Sequence, residues 1–278
     1  LGVDDLVCSW FSDQHLQRSR EIVLDGCVPD CWTLARHGLP NASRPKIWKL
    51  ALGFGDVVER DKQHFDALCE MVESQELLTD LLVERDIQLL ANSQHFFPFE
   101  ETLRSVLLAF TRDSSVTCSM GTEVVTGTGD NAKYPPSGVL PFKGLVMYAA
   151  PVCYLCKDPA DVYRVFKSMF CRFWCKLVTL TVEGLPRPTL PGLCNVFESL
   201  LQEVDPQVFH HLNSLGCPAM QLAFPWINSA FVGYLPVEEL LLLWDRLFGW
   251  DSLLVLPVFA VAIITFRNVL IQSTDMMP

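Results

Sequence analysis

Four cysteines stand where a thiolate metal site would first be sought: Cys153 and Cys156, three apart, then Cys171 and Cys175, four apart. Structural zinc sites draw their thiolates together on tight knuckles and turns. These four lie in apolar text leading into, or within, a helix, where cysteine packs as a small hydrophobe, so no metal is expected. The six histidines show no HExxH-type spacing, and the adjoining His210 and His211 point to different sides of a helix. Gly127-Thr-Gly129-Asp-Asn-Ala132 approaches a dinucleotide fingerprint, with Glu123-Val-Val-Thr126 as a strand-like lead. The fingerprint works only if a helix follows at once and offers its amides to a pyrophosphate. Tyr134-Pro135-Pro136 prevents that, which leaves a flexible loop and no expected cofactor. Neither a GxSxG elbow nor a GxxxxGK[ST] phosphate loop occurs. Arg164, Lys167, Arg172 and Lys176 form a basic face that reads as solvated.

The chain that must position any site has 278 residues, half of them hydrophobic, enough for a large core in one domain or two lobes. Its formal net charge of -11 argues against a nucleic-acid binder, which must neutralise phosphates. The same charge disfavours simple adsorption to acidic lipid. Residues 1–13 carry acids and no continuous apolar run, so no secretory signal is expected. Eleven cysteines, an odd count, then read as reduced thiols of a cytoplasmic protein. The first residue is Leu1 rather than methionine, and a longer parent protein is expected.

Helical periodicity dominates and strand alternation is scarce. Residues 1–28 read as one or two short helices. Ser43 is placed to cap a short helix that begins at Arg44 or Pro45. Further helices are expected around Phe65–Val72, over 78–90, and around Leu103–Phe110. Residues 113–141, rich in Ser, Thr, Gly and Pro, read as a mobile insertion without a helical pattern. Asp158-Pro159 opens a strongly amphipathic helix whose stripe holds Val162, Val165, Phe166, Met169, Phe170, Phe173, Trp174 and Leu177. Residues 184–192 read as a proline-rich linker, followed by helices from Leu193 and from Asp205-Pro206. The last stretch, 224–266, organises the rest. Pro236, Glu238 and Glu239 start a helix, Gly249 stops it, and Asp251 or Ser252 caps the next. That final helix is apolar nearly all round, so burial is expected. Its uninterrupted apolar run, 253–266, falls short of the ~20 residues that a membrane span needs.

Five pieces, in order, resemble the TBC domain, the module of Rab GTPase-activating proteins. Gly38-Leu-Pro40 with Arg44-Pro-Lys-Ile-Trp48 is similar to the family's opening motif. Val83-Glu-Arg-Asp86-Ile-Gln-Leu89 sits where the family has IxxDxxR. Leu140-Pro-Phe-Lys143-Gly144, running on to Ala149-Ala150-Pro151, sits where it has a YxQ-containing segment. Phe224-Pro225-Trp226 and Leu243-Trp244-Asp245 resemble its late PW and WD landmarks. The resemblance implies an all-α, multi-helix fold of two helical lobes. The expected division is a helical extension over 1–36 and the domain over 37–278, with lobes at 37–157 and 158–278. It also implies a small GTPase of the Rab family as partner. Arg44, Trp48, Trp226, Trp244 and Asp245 become structural motif residues.

In the family an arginine neutralises charge on the transferring phosphoryl group while a glutamine orients the attacking water. Here Leu89 holds the arginine position, Lys143 the glutamine position, and Pro141 the tyrosine before it. Leucine has neither donor nor charge, and lysine carries no acceptor with which to position water. An arginine finger is worth about 10³- to 10⁵-fold in rate. The expectation is therefore a domain that grips a GTPase, with GTPase activation weak or absent and no catalytic residue of its own. Arg85, Asp86, Leu89 and Lys143 are its candidate partner-binding residues. The alternative is an activator that uses Arg85, which shares a helix face with Leu89. Arg44 and Asp86, opposite charges at two motif positions, are expected to pair.

Overall fold

The computed structural model describes residues 8–56, 58–91, 96–120, 135–178 and 189–273. It begins with α1 (Ser9–Asp25), α2 (Val28–Ala35), α3 (Arg44–Ala51) and α4 (Glu59–Ser74). Then follow α5 (Asp80–Ala91), α6 (Glu100–Arg112), α7 (Ser115–Met120), α8 (Leu145–Ala149) and α9 (Pro159–Met169). A π turn over Phe170–Trp174 leads into α10 (Cys175–Val178). The chain continues with α11 (Leu190–Val204), α12 (Pro206–Ser214), α13 (Ala219–Asn228), α14 (Val237–Trp250), α15 (Val255–Phe266) and α16 (Asn268–Gln272). Among the described residues the one β feature is an isolated bridge between Val232 and Leu235, so the fold is all-α.

Local chemistry accounts for several helix starts. The Asp158 carboxylate accepts from the Ala160 amide at 3.0 Å and Asp205 from the Val208 amide at 3.1 Å, each followed by a proline that needs no amide partner. Ser43 stands at the start of α3 but donates its hydroxyl to Ser19 rather than capping α3 with it. The N-terminal helix is a single element of 17 residues. Helix α11 begins inside the expected linker, at Leu190, with Pro191 in its first turn.

The stripe that runs through α9 and the π turn is buried as its spacing demands and meets α6 and α14. Phe110 lies 5.1 Å from Phe166 and 5.0 Å from Phe170, ring centre to ring centre, and Trp174 lies 4.9 Å from Trp244. Trp48 of α3 joins this cluster, 4.6 Å from Phe248. Helix α2 packs on α3 and α14, so early and late parts of the chain share one core.

Four further expectations are corrected here. Helix α14 does not stop at Gly249. It runs to Trp250, and Asp251 takes the left-handed conformation (φ 46°). Glycine at 249 serves contact instead, since a Cβ there would lie 2.5 Å from the Arg36 backbone nitrogen. Helix α15 is not buried all round. Leu256, Ala260, Val261 and Ile264 face the core, while Val258 is 51% and Phe266 84% exposed. Phe259, Ala262, Ile263 and Phe266 of α15, with Trp226 and Tyr234, line an open apolar groove of about 640 Å³. Nor is the basic face of α9 and the π turn free. Arg164 pairs with Asp61 at 3.2 Å, Lys167 with Asp113 at 2.6 Å and Arg172 with Asp251 at 2.7 Å. Finally, segment 113–141 is not without helix, for it contains α7, and its two ends are tied by Thr117 Oγ1 donating to Ser137 O at 2.7 Å. Residues 121–134, including the glycine-rich 127–132, lie outside the described residues.

Asp113, at the head of that segment, is a buried hub. It accepts from Lys167 Nζ and Ser115 Oγ, both at 2.6 Å, and from the Tyr163 hydroxyl. Burial alone pushes its carboxyl up, but Lys167, Ser115 and Tyr163 together hold it well below the usual carboxylate range. An acid depressed in the folded state adds stability above its unfolded pKa, about 3.9. That stability is lost as pH falls toward the folded value. The urea midpoint is expected to drop as pH is lowered below about 4, more steeply than in Asp113→Asn. At pH 7 the substitution is expected to cost about 1–3 kcal/mol. Parallel slopes for the two proteins would contradict the assignment.

Candidate functional site

Helix α5 buries Val83 and Ile87 against its neighbours, α6 and α8. That choice of face turns Leu82, Arg85 and Leu89, at helical spacing i, i+3 and i+7, away from the core. Arg104 of α6 fixes the helix laterally through Glu84 at 2.8 Å. Opposite the outward face runs the loop before α8. Pro141 in it is buried, and the Phe142 ring meets Tyr148 edge-on at 6.4 Å. Together Leu82, Arg85, Asp86, Leu89, Pro141, Phe142 and Lys143 line an open groove of about 360 Å³.

Asp86 holds the two walls together. Its Oδ1 accepts from the Gly144 amide at 2.7 Å and its Oδ2 from the Val146 amide at 2.9 Å, the unpaired donors at the start of α8. Gly144 enters that turn at φ 97°, a conformation that side chains disfavour. Burial raises the Asp86 pKa, while the Val146 and Gly144 amides and the charge of Lys143 pull it down.

The four candidate partner-binding residues, Arg85, Asp86, Leu89 and Lys143, are thus brought into one groove from two sequence segments. Leu89 is 52% exposed, and Arg85 and Lys143 are exposed as well. Neither cation makes a hydrogen bond or ion pair with another described residue. Among the described residues no side-chain amide lines the groove. Its chemistry is two cations, two leucines and a carboxylate with both oxygens engaged. Such a set can attract negative charge and bury apolar surface, and neither its cations nor its leucines can accept a hydrogen bond from water. Leu82 and Phe142 also line it and were not singled out from the sequence. The outward spacing of Leu82 with Arg85 and Leu89 was the signal for the first.

Arg44 and Asp86 do not pair. Helix α3 lies against α14, and Arg44 Nε reaches Asp245 at 3.1 Å. Its other nitrogens donate to Asn41 Oδ1 and, at 2.8 Å, to Leu39 O. Asp245 also accepts from Trp48 Nε1 at 2.6 Å and from the Leu39 amide at 2.8 Å. Arg44 is 2% and Asp245 0% exposed. Burial pushes Asp245 up to about 6, with Arg44, Trp48 and Leu39 acting against it. Trp244 stands beside this cluster and donates Nε1 to Ala230 O at 3.0 Å. Trp226 lies apart, partly buried on the rim of the α15 groove. Arg44, Trp48, Trp244 and Asp245 knit the core, and none of the five motif residues lines the α5 groove.

Known proteins share both pattern and fold. The Rab-GTPase-TBC domain family matches residues 142–271. Human TBC1 domain family member 19 is 35% identical over 284 residues, covering 97% of this chain and 53% of the relative. Mouse TBC1 domain family member 2B is 27% identical, over 87% of this chain and 23% of its own length. The chain spans about half the length of the first relative and under a quarter of the second. The crystal structure of the Ypt/Rab-GAP domain of Gyp1p superposes with a TM-score of 0.61 at 16% identity, covering 90% of this chain and 83% of that one, a likeness of fold. No helix among the described residues is long and apolar enough to cross a membrane.

Proposed function

The chain belongs to the TBC/RabGAP domain family, and from that premise we propose that it binds a Rab-type small GTPase without accelerating GTP hydrolysis. The observation that carries this reading is that Leu89 and Lys143 line one groove; the motif resemblance sets them at the family's arginine and glutamine positions. Asp86, the groove's one carboxylate, is committed to the Gly144 and Val146 amides. The domain would act from the cytoplasm and reach membranes through its partner. A panel of purified Rab-type GTPases, assayed for GTP hydrolysis and for binding in both nucleotide states, tests it. Binding with less than about 10-fold acceleration is expected; a 10-fold or larger acceleration, or no binding at all, rejects the reading.

One observation favours a second reading, a working activator. Arg85 is exposed in the same groove, one turn before Leu89, with no partner among the described residues. Under that reading Arg85→Ala abolishes acceleration and leaves binding intact.

A further inference from the structure

We propose that the outer face of α15 is where two copies of this chain meet. Leu254, Val258, Ala262 and Phe266 recur at four-residue spacing from the cap of the helix to its last residue, and all four are exposed. A ridge at that spacing interlocks with its like at a crossing of about -50°, the commonest way for two helices to pack. Helices α11, α13 and α14 hold the opposite side of α15. Beside the ridge lies the hollow lined by Trp226, Tyr234, Phe259 and Ile263. One surface thus carries both a projecting side chain, Phe266, and a recess, as a two-fold interface requires. Ala262, small and midway along the ridge, lets the two helix axes approach to about 8 Å. With Tyr234 and Val269 the ridge exposes on the order of 600 Å² of apolar surface, counting about 150–250 Å² for a whole aromatic side chain. That stands at the top of what a monomer leaves in one patch. It reaches the lower range of a specific interface, roughly 600–1,000 Å² per partner.

Charge selects a second copy as the occupant. Two chains of net -11 repel each other, so they join best at a face without acids. Residues 252–272 contain no acid, and none lines the hollow. The one cation there, Arg267, lies over the Phe266 ring, 5.8 Å from its centre. With the two-fold axis at Ala262, the two Arg267 groups stand about 15 Å apart at a rise of about 1.5 Å per residue. That exceeds the Debye length of about 8 Å, so they do not oppose the pairing. A single cation does not draw so acidic a chain to anionic lipid.

The test is sedimentation velocity of the whole chain over a range of concentrations. A monomer–dimer equilibrium is expected, strengthened by salt because screening relieves the mutual repulsion. Phe266→Asp should weaken it by about 30-fold or more. Ala262→Trp should weaken it as well, by blocking close approach, although it adds apolar surface; unspecific hydrophobic association would grow stronger instead. Both residues are exposed, and circular dichroism checks that each variant is folded. A monomer at every concentration overturns the inference, and flotation of that monomer with phosphatidylcholine–phosphatidylserine vesicles would assign the face to lipid. A dimer that survives Phe266→Asp, tightens with Ala262→Trp or dissociates in salt overturns it too. Dimerisation needs no GTPase, so its failure leaves the proposed function untouched.

Discussion

Leu89→Arg combined with Lys143→Gln is expected to raise GTP hydrolysis by a bound Rab-type GTPase roughly 10²- to 10³-fold over the unmodified chain. An arginine finger supplies about 10³- to 10⁵-fold. The lower figure reflects Pro141 in the loop, because a misplacement of about 1 Å costs 10²-fold. Both positions already face one groove, and Asp86 already sets the distance between its walls. The new arginine would replace an exposed leucine, so folding should be unaffected. Each single change should give little, since charge neutralisation and water orientation act as a unit. Single-turnover hydrolysis, with binding measured in parallel, reads the result. A double variant that binds as before but gives no acceleration would show that the groove does not sit over the nucleotide.

The second large effect is on stability. Asp245→Ala is expected to cost about 3–5 kcal/mol, because it strands the buried Arg44 guanidinium. The Trp48 and Leu39 N–H groups lose their acceptor as well. Converting the pair together, Arg44→Met with Asp245→Leu, should cost clearly less than Asp245→Ala, since no uncompensated charge remains. Urea unfolding arranged as a double-mutant cycle measures the coupling. Equal destabilisation by the single and the double variant would remove the ion pair from its place in the account.

Much of this was legible where a local pattern decides the outcome. Asp158 and Asp205 before prolines announced their helices, and the α9 stripe from Val162 to Leu177 went into the core as its spacing requires. The α5 groove was legible through motif order, which placed Leu89 and Lys143 together although 53 residues intervene. What failed was pairing at a distance. Arg44 had two acids on motif-bearing helices to choose from, and nothing local to it tells Asp86 from the more remote Asp245. The basic face of α9 looked solvated for the same reason, its acids Asp61, Asp113 and Asp251 lying on other segments. Gly249 misled differently. A glycine near a helix end usually marks the stop, but here its missing side chain admits the backbone of Arg36. Apolar composition likewise could not reveal that neighbouring helices cover only one side of α15.

The Asp86 bridge gives the groove a mechanical character. Because one carboxylate accepts from two amides of the opposing turn, α5 and the loop at Lys143 are tied to each other across the groove. Under the proposed function, a protein docking there would lose little of its contact energy to freezing the host's backbone. A substitution at residue 86 would then loosen recognition by releasing the Gly144 and Val146 amides, whatever Asp86 itself contributes to contact.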